Sequence, residues 1–206
     1  VSQVYPPHFR RAGLTLTSLH LMRKLTSFTF ITLNGFLHDA HGDISWHNHG
    51  AEENQYAAES LQAGNILLFG RKTWEIMASY WPTPMAIEND PTVAAGMNNA
   101  EKLVFSTSLK VAAWENTTIV NGDIIAKIGL LKQTSGNNLT LLGSGNILSQ
   151  FAANGLIDEY LIMIDPVAIG SGIPIFSGIP HQLNLHLKSV QNFKSGVVLL
   201  NYTPKQ

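Results

Sequence analysis

The stretch Asn65–Met77, NILLFGRKTWEIM, constrains this chain more than any other. Ile66-Leu67-Leu68-Phe69 is an unbroken apolar run, the pattern of a strand buried on both faces. Gly70 stops the run, Arg71 and Lys72 follow, and Thr73 stands where a helix running to Tyr80 begins. A helix start carries unpaired backbone N–H groups and partial positive charge, which favour phosphate. Gly70 allows close backbone approach, Thr73 adds a hydroxyl, and Arg71 adds a planar fork that matches phosphate oxygens. The junction therefore has the chemistry of an anion cradle. The same residues also suit an ordinary strand–helix turn with a solvated basic pair.

Two further junctions repeat the theme. Leu139–Leu142 reads as a buried strand, and Gly143-Ser144-Gly145-Asn146 opens a helix over Ile147–Ala153. Lys102–Phe105 reads as a strand that ends on Ser106-Thr107-Ser108-Leu109. Open α/β sheets bind ligands beyond the carboxyl ends of parallel strands. The glycine pair alone is weak, since it lacks the full dinucleotide fingerprint, and the serines also suit helix capping. Three such junctions together argue for one phosphate-holding edge.

The composition excludes several other classes. With 206 residues and 45% hydrophobic content, the chain suits one domain with a substantial core. A net charge of −1 gives no general attraction to nucleic acid or an anionic membrane. There is no cysteine, hence no disulfide or thiolate chemistry, which fits a reducing cytoplasm. No apolar run approaches the roughly 20 residues of a membrane span. Residues 1–21 show no sustained period and imitate a signal peptide poorly, so they read as a disordered extension preceding a domain at 22–206.

Gly70-Arg71-Lys72-Thr73-Trp74-Glu75 resembles the Gly-Arg-x-Thr-Trp/Tyr-Glu signature of the dihydrofolate reductase superfamily. That group includes the reductase (RibD C-terminal) domain of riboflavin biosynthesis and its bacterial relatives. Thr32-Leu33-Asn34-Gly35 stands where those proteins carry Ser-Leu-Asp-Gly, and Gly42-Asp43-Ile44-Ser45-Trp46 resembles their active-site loop. Trp81-Pro82-Thr83, the Met97–Ser106 segment, Gly155–Glu159 and the Pro166–Gly172 block continue the likeness, which spans Met22–Tyr202.

The resemblance implies an α/β fold: a mostly parallel twisted sheet flanked by helices, with an antiparallel C-terminal hairpin. It also implies that Gly70, Arg71, Lys72, Thr73, Ser106, Thr107, Gly143, Ser144, Gly145 and Asn146 hold NADPH. Trp46 and Trp81 would face the substrate, and Asn34 would take the catalytic position, in a homodimer. The activity implied is NADPH-dependent reduction of a pterin or pyrimidine-type heterocycle. The alternative is a nucleotide-binding protein of the same fold without turnover. Two departures keep it open: Asn34 cannot give up a proton as Asp can, and Leu141-Leu142 precede Gly143 where the riboflavin-pathway reductases carry Glu.

Other segments carry narrower expectations. His38, His41, His47 and His49, with Asp39 and Asp43, invite a metal-site reading, but their spacing matches no closed zinc pattern. A flexible loop without metal is the expectation. Ala51–Ala63 reads as a helix with Tyr56, Ala57 and Leu61 inward and Glu52, Glu53 and Glu59 in solvent. Pro91–Met97 reads as a short helix and Leu161–Ile164 as a strand, with Asp158 and Glu159 as structural acids. Leu183–Val190 and Lys194–Tyr202 read as the terminal hairpin, turning at Gln191-Asn192.

Overall fold

The computed structural model describes residues 22–47 and 50–205; the extension expected over residues 1–21 lies outside them, as does His49. In chain order the elements are β1 (Leu25–Thr32), β2 (Phe36–His38), α1 (Ala51–Gln62), β3 (Ile66–Gly70), α2 (Arg71–Tyr80), α3 (Pro84–Asn89), α4 (Pro91–Asn99) and β4 (Lys102–Phe105). They continue with β5 (Thr117–Val120), α5 (Ile124–Lys132), β6 (Leu139–Leu142), α6 (Gly145–Ala153), β7 (Glu159–Asp165), β8 (Ile173–Pro174), β9 (Leu185–Asn192) and β10 (Val198–Pro204).

Eight strands form one sheet in the order β5-β4-β3-β6-β1-β7-β10-β9. The first six run parallel, and β10 pairs antiparallel with both β7 and β9. β3 and β4 are buried at every residue, because helices cover both faces of a parallel sheet. β1 alternates instead: Leu25 and Ile31 join a core with Ile128 of α5 and Leu148 and Phe151 of α6. Phe28 and Phe30 face the other side, with Tyr56 of α1 and Met163 of β7. Trp74, Val93 and Met97 from α2 and α4 extend that second side over Phe69 and Val104.

The expected architecture is present, with three local corrections. The hairpin turn is not at Gln191-Asn192; β9 runs through Asn192, and Phe193–Val197 make the turn, closed by Phe193 N–H to Val197 O at 3.0 Å. Gly196 supplies the φ of 92° that this turn requires. Glu53 is not solvated: it is 4% exposed and accepts the Ser195 hydroxyl from that turn. The reason is tertiary, since the hairpin turn folds onto the start of α1, where Tyr56 meets Phe193 and Glu52 pairs with Lys194 at 2.7 Å. Finally, β2 and β8 form a separate two-stranded ribbon that the pattern did not foreshadow, and α3 adds a short helix started by Thr83, whose hydroxyl accepts the Ala86 N–H.

Asp158 and Glu159 are structural acids. Asp158 accepts the Leu25 N–H at 2.7 Å and pairs with Lys132 at 2.6 Å. Glu159 accepts from Asn201 at 2.8 Å and Lys188 at 3.1 Å. Lys102 is 0% exposed, and its ammonium donates to Asn98, Ala100 and Glu115 carbonyls at 2.9, 2.6 and 3.1 Å. It also lies 4.6 Å from the Trp114 ring centre. A buried charge persists only with such partners.

Candidate functional site

The carboxyl ends of β4, β3, β6, β1 and β7 lie side by side in the sheet, and the helices after β3 and β6 begin there. Gly70 and Ser144 precede α2 and α6, and neither helix start has a side-chain cap among the described residues. The two junctions touch. A Cβ on Gly70 would stand 2.0 Å from Ser144 Oγ, and one on Gly143 would stand 3.4 Å from Thr73 Cγ2. Gly143 and Ser144 are both left-handed, with φ of 58° and 63°, while the Gly143 N–H donates to Phe28 O at 3.0 Å. This left-handed pair leads straight into the uncapped first turn of α6, whose N–H groups have no partner within the helix. Leu37 of the β2–β8 ribbon closes the far side, 2.5 Å from where a Cβ on Gly145 would be.

The basic and hydroxyl residues surround this junction. Arg71 is half-exposed and pairs within its own helix with Glu75 at 2.7 and 2.9 Å; Lys72 is exposed. Ser106 ends β4 beside them, and its hydroxyl accepts the N–H of Ser108 at 3.2 Å and Leu109 at 2.9 Å. Thr107 and Asn146 are exposed, the latter accepting from Gln150 at 2.6 Å.

Asn34, just past β1, has both amide atoms engaged. Its Oδ1 accepts from Thr32 Oγ1 at 2.8 Å and from the Ile169 N–H at 3.3 Å, and its Nδ2 donates to Ile169 O at 2.8 Å. The side chain therefore clips the loop after β7 to the end of β1. Next to it, Asp165 ends β7, paired in register with Thr32. Its carboxylate oxygens lie 3.0 and 2.9 Å from His47 Nδ1, and the two side chains are 1% and 2% exposed. The imidazole stacks on Phe30, with ring centres 3.9 Å apart and planes 18° apart. Trp46 lies edge-on to the same imidazole at 6.2 Å, and its Nε1 is buried with no hydrogen-bond partner among the described residues.

The structure thus gathers Asn34, Trp46, Gly70, Thr73, Ser106 and Gly143–Gly145 at one edge. It does not bring Trp81 there. Trp81 follows the ten residues of α2, about 15 Å from Gly70. Its indole donates to Met77 Sδ at 3.2 Å, and its carbonyl accepts from Asn98 at 3.0 Å, close to where β4 starts. Sequence reading missed Asp165 and Phe30. The available signal was a carboxylate closing an apolar strand, which is costly to bury without a task or a partner. In the histidine loop, Asp39 accepts the N–H groups of His41 and Asp43, both at 2.8 Å, and foremost the Asp43 N–H holds its carboxyl below the usual range. A surface hollow lined by Ala152, Ile179 and Leu183, and another lined by Asn54, Ala58 and Val93, involve none of the candidate residues.

Known proteins resemble this chain over most of its length. It is 27% identical over 173 residues to the uncharacterised protein YyaP of Bacillus subtilis, covering 84% of this chain and 90% of that one. The fold resembles a diaminohydroxyphosphoribosylaminopyrimidine deaminase/5-amino-6-(5-phosphoribosylamino)uracil reductase of Thermotoga maritima, with a TM-score of 0.66, 15% identity, and coverage of 89% of this chain and 57% of that one. It also resembles Enterococcus faecalis dihydrofolate reductase solved with NADP(H), with a TM-score of 0.60, 13% identity, and coverage of 89% and 97%. Residues 23–199 match the RibD C-terminal domain. With its parallel sheet, its paired glycine junctions and this match, the chain belongs to the RibD C-terminal domain family.

Proposed function

We propose that this chain is an NADPH-dependent reductase of a small heterocycle of pterin or pyrimidine type. One observation carries the reading: the uncapped starts of α2 and α6 open side by side, in contact through Gly70, Ser144, Thr73 and Gly143. Two helix starts turned toward one spot favour a phosphate-bearing ligand. NADPH fits this donor set and, when bound, supplies the hydride. The protein's own residues do the rest. Backbone N–H groups of α2 and α6, with Thr73 and Ser144 hydroxyls, would hold the linking phosphates. Arg71 would turn from Glu75 to a phosphate, and Lys72, Ser106, Thr107 and Asn146 would border the adenosine side. Asn34 would act as a positioning residue, fixing the loop after β7 beside the reacting ring, and Trp46 would pack near that ring.

A second reading is an NADPH-binding protein of the same fold without turnover. It is favoured by the chemistry of Asn34, an amide that cannot give up a proton as a carboxyl can and that is engaged in holding the loop after β7. Titration with NADPH, followed by a pterin and pyrimidine panel monitored by NADPH absorbance, separates the two. Turnover supports the reductase, tight binding without turnover supports the second reading, and absence of NADPH binding removes both. We further infer a homodimer and a cytoplasmic setting. The exposed edge strand β9 supports the first, and the lack of cysteine is consistent with the second. Among the described residues no helix is long and apolar enough to cross a membrane.

A further inference from the structure

We propose that Phe30 and Asp165 form the subsite that recognises the N–H-bearing edge of the substrate ring, and that His47 fills this subsite as a built-in competitor. The inference rests on the reductase reading only for which ring arrives. Its geometry comes from the imidazole itself. A flat five-membered ring lies 3.9 Å from the Phe30 ring at 18°, and its Nδ1 faces both oxygens of a carboxylate that is 1% exposed. Ring stacking and a charge-assisted pair are the two contacts by which proteins hold planar nitrogen heterocycles. A buried carboxylate demands an N–H partner, and the chain supplies one from the segment between β2 and α1.

Position and chemistry both favour a ligand here. Asp165 ends β7, two strands from the Gly143 junction on β6 and three residues further along the register, roughly 14 Å away at the usual strand spacing and rise. A ring at Asp165 thus lies on the same carboxyl edge, within reach of an elongated ligand held at the glycine junction. Trp46 lies edge-on to the imidazole, with ring centres 6.2 Å apart, and its buried Nε1 has no acceptor among the described residues. A pterin or pyrimidine carries ring acceptors next to its N–H donors, so one ligand can satisfy both Asp165 and Trp46. Both carboxylate oxygens point at one ring nitrogen of His47; a ligand with two parallel N–H groups pairs with both at once. The competing explanation is that His47 merely anchors its loop, and the two ideas predict opposite results.

The test uses the full chain without NADPH, with 2-aminopyridine in its ring-protonated form as a flat probe offering parallel N–H donors and toluene as a probe without them. Calorimetric affinity and thermal shift are measured for wild type, His47→Ala, His47→Ser, Asp165→Asn and the His47→Ala/Asp165→Asn double variant. The expected result is that both His47 variants bind 2-aminopyridine at least roughly tenfold more tightly than wild type, the size of one charge-assisted bond. That gain should vanish in the double variant and should not extend to toluene. Where a His47 variant melts early, the probe should restore its melting temperature, which keeps the readout usable. Equal affinity in wild type and both His47 variants overturns the proposal, as does a gain that survives Asp165→Asn or is shared by toluene. Failure of the wild type to bind NADPH would remove the reductase reading while leaving this result standing.

Discussion

A Cβ on Gly70 would stand 2.0 Å from Ser144 Oγ and 3.1 Å from Ser144 Cβ, so the end of β3 and the start of α6 meet at a point where no side chain fits. Gly70 has an extended backbone, with φ of −75°; it is space, and not backbone freedom, that requires glycine there. Gly70→Ala should therefore destabilise by about 1–3 kcal/mol through overpacking. In a Ser144→Gly background the loss should shrink, because the obstructing side chain is gone. Urea unfolding of the four proteins in a double-mutant cycle measures the coupling. Additive losses would show that the two residues do not clash.

Arg71 should separate binding from stability. Its ion pair with Glu75 is half-exposed and within one helix, so Arg71→Ala should change unfolding free energy by less than about 0.5 kcal/mol. NADPH affinity should fall by roughly 1.5–3 kcal/mol, the worth of a charge-assisted phosphate contact. NADH should be affected less if Arg71 reaches the additional phosphate. Equal wild-type affinity for the two cofactors would remove that assignment.

Lys102 should be the costliest surface-free charge to delete. Lys102→Met leaves the carbonyls of Asn98, Ala100 and Glu115 without their donor, at a cost of roughly 2–4 kcal/mol. Burial, foremost, lowers its ammonium from 10.5 to about 8. Between those values the unfolded chain binds the proton that the folded chain has released, so stability rises with pH through this window, by roughly 1–3 kcal/mol. Chemical denaturation from pH 7 to 10 should show the rise in wild type and a flatter profile in Lys102→Met.

Tyr160 acts with the opposite sign. Burial, with a smaller contribution from Asp158, raises its phenol from 10.0 to about 12. The folded chain then holds a proton that the unfolded chain loses, so this contribution is complete below pH 10 and disappears as pH climbs through 12. Tyr160→Phe should remove roughly 1–3 kcal/mol of that alkaline loss. Parallel alkaline unfolding curves for the two proteins would refute it.

The β9 edge should carry the dimer. Leu187 and Val190 are 44% and 51% exposed and pair with Tyr202 and Leu200 on one face of the sheet. Replacing both with lysine should convert a dimer to a monomer in light scattering, since inward charges blunt an edge. A wild-type mass that stays monomeric at all concentrations would refute the dimer.

Much of the edge that holds the candidate site could be read from contiguous residues. The apolar run ending at Gly70, the run ending at Gly143 and the strand ending at Ser106 each announce a strand followed by a turn, because periodicity, glycine and hydroxyl residues act through the local backbone. Their arrival at one edge also follows, since parallel strands joined by helices place all carboxyl ends together. Trp81 shows the limit: a motif aromatic can lie near a site in sequence and a helix length from it in space.

What the sequence by itself determined is the set of elements and the chemistry of each junction, for these depend on neighbours a few residues apart. Only the tertiary structure decided which distant side chains meet. Asp165 and His47 are 118 residues apart, Glu53 and Ser195 are 142 apart, and Asn34 and Ile169 are 135 apart. Each pairing depends on β7 lying beside β1, or on the hairpin turn folding onto α1, and no local backbone preference encodes either arrangement. Burial then sets their consequences, because an acid that would be a solvated surface group on an isolated helix or strand must find a donor once a neighbouring element covers it.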